Sequence, residues 1–361
     1  MNKKKLRVLL TTSSGPGMAG IVHALKSHPL RETELLAGDV VAYETGAGLV
    51  SDVLVALPFA NDAFYVDKML SICERHCVDM ILSGYSQENL ILSQHISAFE
   101  AVGTKILTPP YANVAICQNK DEMLAALQEA GSPYAVPHYA ARSVEEVISA
   151  CAALGYPAKA VCVKPAVCNG GSRGFWILDE NYDRHKAFFV DKDARRCTLD
   201  ELLLKWKGIE DLPAVLVMEY IDGQEYGVDV VAKEGEMLAH VIREKLPPQM
   251  AGVDMRYKTA EDADISALAD TLTRFFSLDS IVNMDIIRRG QSLYLLEINP
   301  RQGALIGGSA LKCNLLAYAI DLLFGEAEDL ARYETGYTAV TGVRYIEEYA
   351  VCDGQIVRFR K

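Results

Sequence analysis

Residues 282–301 read VNMDIIRRGQSLYLLEINPR: two apolar runs, Val282 to Arg288 and Ser292 to Ile298, joined across Arg289-Gly290-Gln291. That pattern is a β-hairpin with a tight, glycine-containing turn. Its flanks are apolar, so Asp285 and Glu297 stand inside what should be a core. A buried carboxylate is costly and normally has a cation beside it. The two fall on adjacent strands, and Asn299, two residues past Glu297, shares its face. Three oxygen-bearing side chains then converge on one point. Hard oxygen donors left incomplete in number suit Mg²⁺, which keeps positions open for water and phosphate oxygens. Arg301, two residues further on, would set a fixed cation beside the same centre and could stabilise a transferring phosphoryl group. The competing reading is a metal-free ion pair between a carboxylate and Arg301, which leaves Asn299 and Asp285 together unexplained.

Upstream, Val163-Lys164-Pro165 leads into Asn169-Gly170-Gly171-Ser172-Arg173-Gly174. Three glycines in six residues between apolar strands describe a tight loop whose backbone N–H groups are free to face an anion. Lys164, just before it, could reach a phosphate. No Gly-Lys-Ser/Thr enters a helix here, so this is not a Walker A loop. A third segment, Met218-Glu219-Tyr220-Ile221-Asp222-Gly223-Gln224-Glu225, runs from strand through linker to strand. Open backbone groups at Glu219, Tyr220 and Ile221 suit pairing with an adenine edge, and Glu225 suits ribose hydroxyls. An acidic surface hairpin is the plainer alternative.

The remainder places these motifs. Residues 1–110 alternate strand and helix: strands at Leu6 to Thr12, Val40 to Glu44, Met80 to Ser83 and Lys105 to Leu107, helices at Ile21 to Lys26, Asp67 to His76 and Asn89 to Val102. Alternation of this kind predicts a parallel sheet covered on both faces, and Thr108-Pro109-Pro110 ends it. Residues 111–213 form a second unit, with helices at Lys120 to Ala130 and Ser143 to Leu154. Residues 214–361 form a third, in which Ala214 to Met218, Gln224 to Ala232 and Met237 to Arg243 read as successive antiparallel strands, and residues 245–258 as a loop rich in basic groups. The fold class is α/β.

Composition narrows the function. A formal net charge of −12 argues against nucleic acid and anionic membranes, both of which reward a basic face. No apolar stretch is long enough to span a bilayer. The short run after Lys3-Lys4-Lys5 meets Thr11-Thr12-Ser13 instead of a cleavage site. Nine scattered cysteines without a Cys-x-x-Cys pair suit reduced thiols in a cytoplasm. Ser14-Gly15-Pro16-Gly17-Met18-Ala19-Gly20 tempts a dinucleotide reading, but the spacing is not G-x-G-x-x-G.

In order along the chain, Lys120, Val-Lys164-Pro, the Gly-Gly-Ser-Arg-Gly loop, Glu219-Tyr-Ile-x-Gly-x-Glu225, Asp285 and Glu297-Ile-Asn299-Pro-Arg301 resemble the ATP-grasp superfamily. Within it the chain looks most like proteins similar to the large subunit of carbamoyl phosphate synthase, from about residue 5 to residue 325. The resemblance implies a Rossmann-like parallel-sheet domain ahead of a two-lobed α+β grasp. It implies ATP phosphates on Lys120 and Lys164, with residues 170–174 folding over them. It further implies an adenine hinge at Glu219 to Ile221, ribose on Glu225, and Mg²⁺ (or Mn²⁺) on Glu297, Asn299 and Asp285. Arg301 would contact the γ-phosphate and acyl phosphate, and Arg243 is a further candidate for phosphate or substrate. Two positions depart from the pattern: Asn169 stands for a common glycine, and Asp285 for a longer glutamate, which would leave one of two metals weakly held. The implied reaction activates a small-molecule carboxylate as an acyl phosphate and joins it to an amine. Phosphorylation of bicarbonate or carbamate, a regulator that binds ATP without turnover, and a dehydrogenase stay open. So does assembly, a homodimer included.

Overall fold

The computed structural model describes residues 3–15, 17–41, 51–167, 174–190, 195–250, 253–345, 349–352 and 355–358. The first part is a five-stranded parallel sheet. Its elements are β1 (Lys4–Leu10), α1 (Met18–Lys26), β2 (Arg31–Asp39), β3 (Val53–Ala56), α2 (Tyr65–His76), β4 (Met80–Leu82), α3 (Ser86–Gln94), α4 (Ile96–Ala101) and β5 (Lys105–Ile106), with strand order β3-β2-β1-β4-β5. Alternate residues of β1 feed opposite cores. Leu6, Val8 and Leu10 pack with α1, and Leu9 joins Tyr65, Met69 and Cys73 of α2. Two expectations are corrected here. The second strand is β2, which ends at Asp39, because pairing with β1 from Lys4↔Arg31 onward outweighs the charges of Glu32 and Glu34; of the expected Val40 to Glu44, Val40 and Val41 are a turn and residues 42–44 lie outside the described residues. The single helix Asn89 to Val102 is two helices, interrupted at His95.

Next come α5 (Tyr111–Gln118), α6 (Lys120–Glu129), β6 (His138–Ala141), α7 (Val144–Ala153), β7 (Val161–Pro165), β8 (Trp176–Leu178), α8 (Arg184–Phe189), β9 (Arg196–Cys197), α9 (Leu199–Lys205) and β10 (Val215–Glu219). They build a second five-stranded sheet, order β6-β10-β7-β8-β9. Caps start its helices. Ser143 accepts from Glu146 N–H, and Thr198 and Glu201 form a reciprocal capping box. β10 pairs antiparallel with β6 and β7, so residues 215–219 side with this sheet and not with the strands that follow.

The third sheet is antiparallel, order β15-β14-β11-β12-β13-β16, made of β11 (Gln224–Lys233), β12 (Glu236–Met250), β13 (Val253–Ala260), β14 (Ser280–Arg289), β15 (Ser292–Asn299) and β16 (Thr341–Val343). Helix α10 (Ala263–Phe275) lies between β13 and β14 in sequence. α11 (Ile306–Ala310) and α12 (Leu315–Leu323) follow β15, and β17 (Tyr349–Cys352) and β18 (Gln355–Arg358) form a separate hairpin. Residues 245–258 are therefore mostly paired strand, β12 with β13, and not a loop. Near the end of the chain, Thr341–Val343 pairs as β16 and β17 begins at Tyr349.

Period-two alternation divides this sheet. Val228, Val230, Ile242, Met284, Ile286 and Ile298 face a core shared with Ile265, Leu268, Ala269 and Leu272 of α10 and Met123 and Leu124 of α6. The α10 spacing i, i+3, i+4, i+7 is one helical stripe, and Asp262 caps it by accepting from Asp264 and Ile265 N–H. On the opposite face Val231, Val241 and Ile281 join α12 and the parallel sheet in one cluster. Further along that face stand charged and amide side chains instead. Among the described residues no helix is long and apolar enough to cross a membrane.

Candidate active site

The polar stretch of the third sheet starts at the β14–β15 ladder, where Asp285 stands opposite Glu297 and Asn283 opposite Asn299. The ladder shifts register between Asp285 and Ile286, since Ile286 pairs with Leu295 and leaves Leu296 as an extra residue. This bulge changes the alternation. Leu293 and Leu295 turn into the apolar core while Glu297 and Asn299 turn to the polar face. The Leu296 carbonyl is left outside the ladder, and Lys164 Nζ donates to it at 3.4 Å.

Asn299 lies between the two carboxylates. Its Nδ2 donates to Asp285 Oδ2 at 3.3 Å and to Glu297 Oε1 at 3.2 Å. The remaining carboxylate oxygens take lysines: Lys120 Nζ sits 3.1 Å from Glu297 Oε2, and Lys245 Nζ 2.9 Å from Asp285 Oδ1. Lys120 is placed by its helix start, where Asn119 caps α6 and Lys120 N–H donates to Ala166 O at 3.1 Å. Burial pushes the Glu297 carboxyl up, but Lys120 and Lys164 outweigh it and hold it at about 2. For Asp285 burial prevails, helped by the nearby Glu297 charge against Lys245, and its carboxyl rises to about 6. The Lys164 ammonium is pushed down by burial, with Glu297 opposing. The pocket thus favours a charged Glu297 and disfavours a charged Asp285.

Lys245 was read as part of a basic loop. It lies instead on β12 with its side chain 15% exposed, facing Asp285, Glu225 at 3.4 Å and Asp254 at 3.7 Å. Neither Asp254 nor the clustering of lysine with Glu225 was foreseen, because strand pairing alone brings them together.

Next along the same face stands a second polar group. Arg243 is 1% exposed and its guanidinium lies 2.7 Å from Asp229 Oδ2. Asp229 also accepts from Asn283 Nδ2 at 3.0 Å and from Ser309 Oγ at 2.6 Å. The structure therefore brings Arg243 to a buried aspartate on the neighbouring strand. The Arg301 guanidinium donates to Gln302 O at 3.0 Å and lies 3.5 Å from Asn299 Oδ1. Gln302 in turn donates from Nε2 to Ser83 O, tying this segment to the end of β4.

The hinge segment lies where β10 leaves the second sheet. Glu219 N–H donates to Pro137 O and Tyr220 N–H to Ala160 O, so these two donors are engaged within the chain. Ile221 is buried, Arg196 stacks over the Tyr220 ring at 4.8 Å, and the Glu219 carboxylate holds Arg289 at 2.9 Å. Gly170, Gly171, Ser172 and Arg173 lie outside the described residues; Gly174, just after them, has φ +92. Gly17, just before α1, and Gly20 and Gly307, inside α1 and α11, have a packing reason: a Cβ on Gly17 would fall 2.7 Å from Ala304 O, and one on Gly307 would fall 2.4 Å from the Gly20 Cα. Helices α1 and α11 approach through them. Among the described residues no three His, Cys, Asp or Glu side chains cluster as a metal cage, so the donor set here is two carboxylates and an amide.

Residues 211–347 fit the family described as ATP-grasp in the biosynthetic pathway with Ter operon. The arginine-specific large chain of carbamoyl phosphate synthase from Geobacillus stearothermophilus is 23% identical over 261 residues, covering 70% of this chain and 22% of that protein. The chain thus spans about a fifth of the length of that relative. The biotin carboxylase domain of Hydrogenobacter thermophilus 2-oxoglutarate carboxylase, solved with MgADP, ADP and bicarbonate, superposes with a TM-score of 0.67 at 15% identity, over 97% of this chain and 80% of that one. N5-carboxyaminoimidazole synthetase from Staphylococcus aureus gives 0.61 at 15% identity, over 91% and 81%. At such identities these structures speak for the fold.

Proposed function

We propose that the chain is an ATP-grasp enzyme, a reading supported by the family match over residues 211–347 and by the likeness to a carbamoyl phosphate synthase large chain: it uses Mg-ATP to phosphorylate a small-molecule carboxylate and passes the acyl group to an amine, releasing ADP and phosphate. The observation that carries this reading is the meeting of Asp285, Glu297 and Asn299 with Lys120, Lys164 and Lys245 on one face of an antiparallel sheet.

The donor set fits a divalent ion. Asp285 and Glu297 offer hard oxygens side by side, and the Asn299 amide occupies the place between them that electrostatics would give a cation. In this reading Glu297 and Asn299, joined by Asp285, hold Mg²⁺, or Mn²⁺ in its place. A bound ion would offset the negative charge of the phosphates during transfer. Lys120 and Lys164 bind phosphate oxygens, and Glu219 to Ile221 with Glu225 receive the nucleoside. Arg301 faces the transferred group and stabilises charge that grows there. Catalysis is then positioning and charge stabilisation, without a side-chain nucleophile. Residues 1–110, 111–213 and 214–361 remain our proposed units, with β10 attached to the second.

The partners in this reading are small molecules, not nucleic acid. The eight described cysteines are free thiols, which suits a reducing cytoplasm. A second reading, bicarbonate as the carboxylate, is favoured by the likeness to a carbamoyl phosphate synthase chain. ADP release measured across pools of carboxylates, each with and without amines and with bicarbonate as a separate arm, tests both. Release that no carboxylate or bicarbonate stimulates would count against a ligase.

A further inference from the structure

The two carboxylates of the site are neutralised in different ways. Glu297 is met by Lys120, which stands at the start of α6 and has no other carboxylate partner among the described residues. A phosphate group can draw such a lysine away at little electrostatic cost. Asp285 is met by Lys245, whose strand β12 belongs to the same sheet, separated from β14 only by β11. Lys245 is held by carboxylates from three strands: Asp285 at 2.9 Å, Glu225 at 3.4 Å and Asp254 at 3.7 Å. Withdrawing it would take the nearest ammonium from three acidic groups at once, so the ammonium is held in place. Both Asp285 oxygens are already engaged, one by Lys245 and the other by the Asn299 amide. A divalent ion seated on Asp285 would also lie within a few ångströms of a fixed positive charge and be repelled by it.

We propose that Lys245 is a built-in cation standing where a second metal would, so that nucleotide enters this site with one divalent ion, centred on Glu297 and Asn299. This rests on the ATP reading above and deepens it. Asp285 then serves to anchor Lys245 and only borders the ion.

Manganese with a non-hydrolysable ATP analogue tests the proposal on the full chain, free Mn²⁺ being followed by electron paramagnetic resonance to count bound ions. Wild type should take up about one ion per nucleotide-bound chain. Lys245→Met should take up a second, and at a single equivalent of Mn²⁺ its affinity for the analogue should fall about tenfold, recovering with excess Mn²⁺. Lys245→Arg should stay at one. Two ions on wild type would overturn the proposal, and so would a folded Lys245→Met that keeps one ion and wild-type affinity. Should Lys245→Met fail to fold, the wild-type count decides. Absence of any manganese–nucleotide binding to wild type would sink the ATP reading and this inference with it, whereas a two-ion count leaves that reading standing.

Discussion

Arg243 and Asp229 form an ion pair at 2.7 Å in which the two side chains are only 2% and 0% exposed. The pair stands beside the candidate site on the same sheet face, and its aspartate also receives Asn283 and Ser309. Breaking a buried pair leaves a desolvated charge, a cost of about 3–5 kcal/mol. Arg243→Met should therefore lower the urea midpoint sharply, and adding Asp229→Leu should restore part of the loss. A variant of wild-type stability with turnover gone would instead make Arg243 a substrate-contacting group, the role its sequence position suggested.

Arg301 offers the contrast. Its guanidinium touches the Gln302 carbonyl and lies beside Asn299, at the edge of the carboxylate cluster. Arg301→Ala should leave binding of the ATP analogue nearly unchanged while lowering turnover by about 10²–10³, the usual loss for a group that stabilises charge only during transfer. Equal turnover in the two proteins would remove Arg301 from the mechanism.

A pH effect is expected away from the site. His28 is fully buried between the parallel sheet and α12, with Asp321 at 3.6 Å, Arg31 on the same aspartate and Lys3 on its carbonyl. Burial pushes its imidazole down from 6.5 to about 4, Asp321 opposing and Arg31 and Lys3 assisting. The fold therefore favours neutral His28. That contribution is complete above pH 6.5 and is lost as pH falls toward 4, at most about 3 kcal/mol. Urea unfolding of wild type and His28→Gln at pH 7 and pH 5 checks this. The variant should lose less stability between the two, and parallel losses would rule His28 out.

How far the sequence was legible depends on whether local chemistry or pairing set each feature. The 282–301 hairpin could be read because two apolar runs flank a glycine-containing turn, and the parallel sheet because strands alternate with helices. β2 was missed because Glu32 and Glu34 hide a strand whose partner, β1, pairs with it along its length, while Val40-Val41 looks stronger alone. Lys245 was missed because Pro247-Pro248 reads as loop, although β12 continues through them with a register shift between Leu246 and Gln249. Its three carboxylates come from three other strands. Arg243 was placed among candidates for phosphate because its own strand gives no hint of Asp229, which cross-strand neighbours bring within reach. Of the glycines in residues 15–20, which suggest a dinucleotide turn, Gly20 lies against Gly307 where α1 meets α11, and Gly17 lies against Ala304.

The extra residue at Leu296 has a consequence for how such a site could arise. Without it, strict alternation would put Leu295, Glu297 and Asn299 on one side, and either the oil or the acid would have to face the wrong way. One inserted amino acid puts the strand half a period out of phase with itself, so that it seals a hydrophobic interior over its first half and presents charge over its second. The freed carbonyl then catches Lys164 from the other sheet, so the same slip that exposes the acid also fastens the two lobes together.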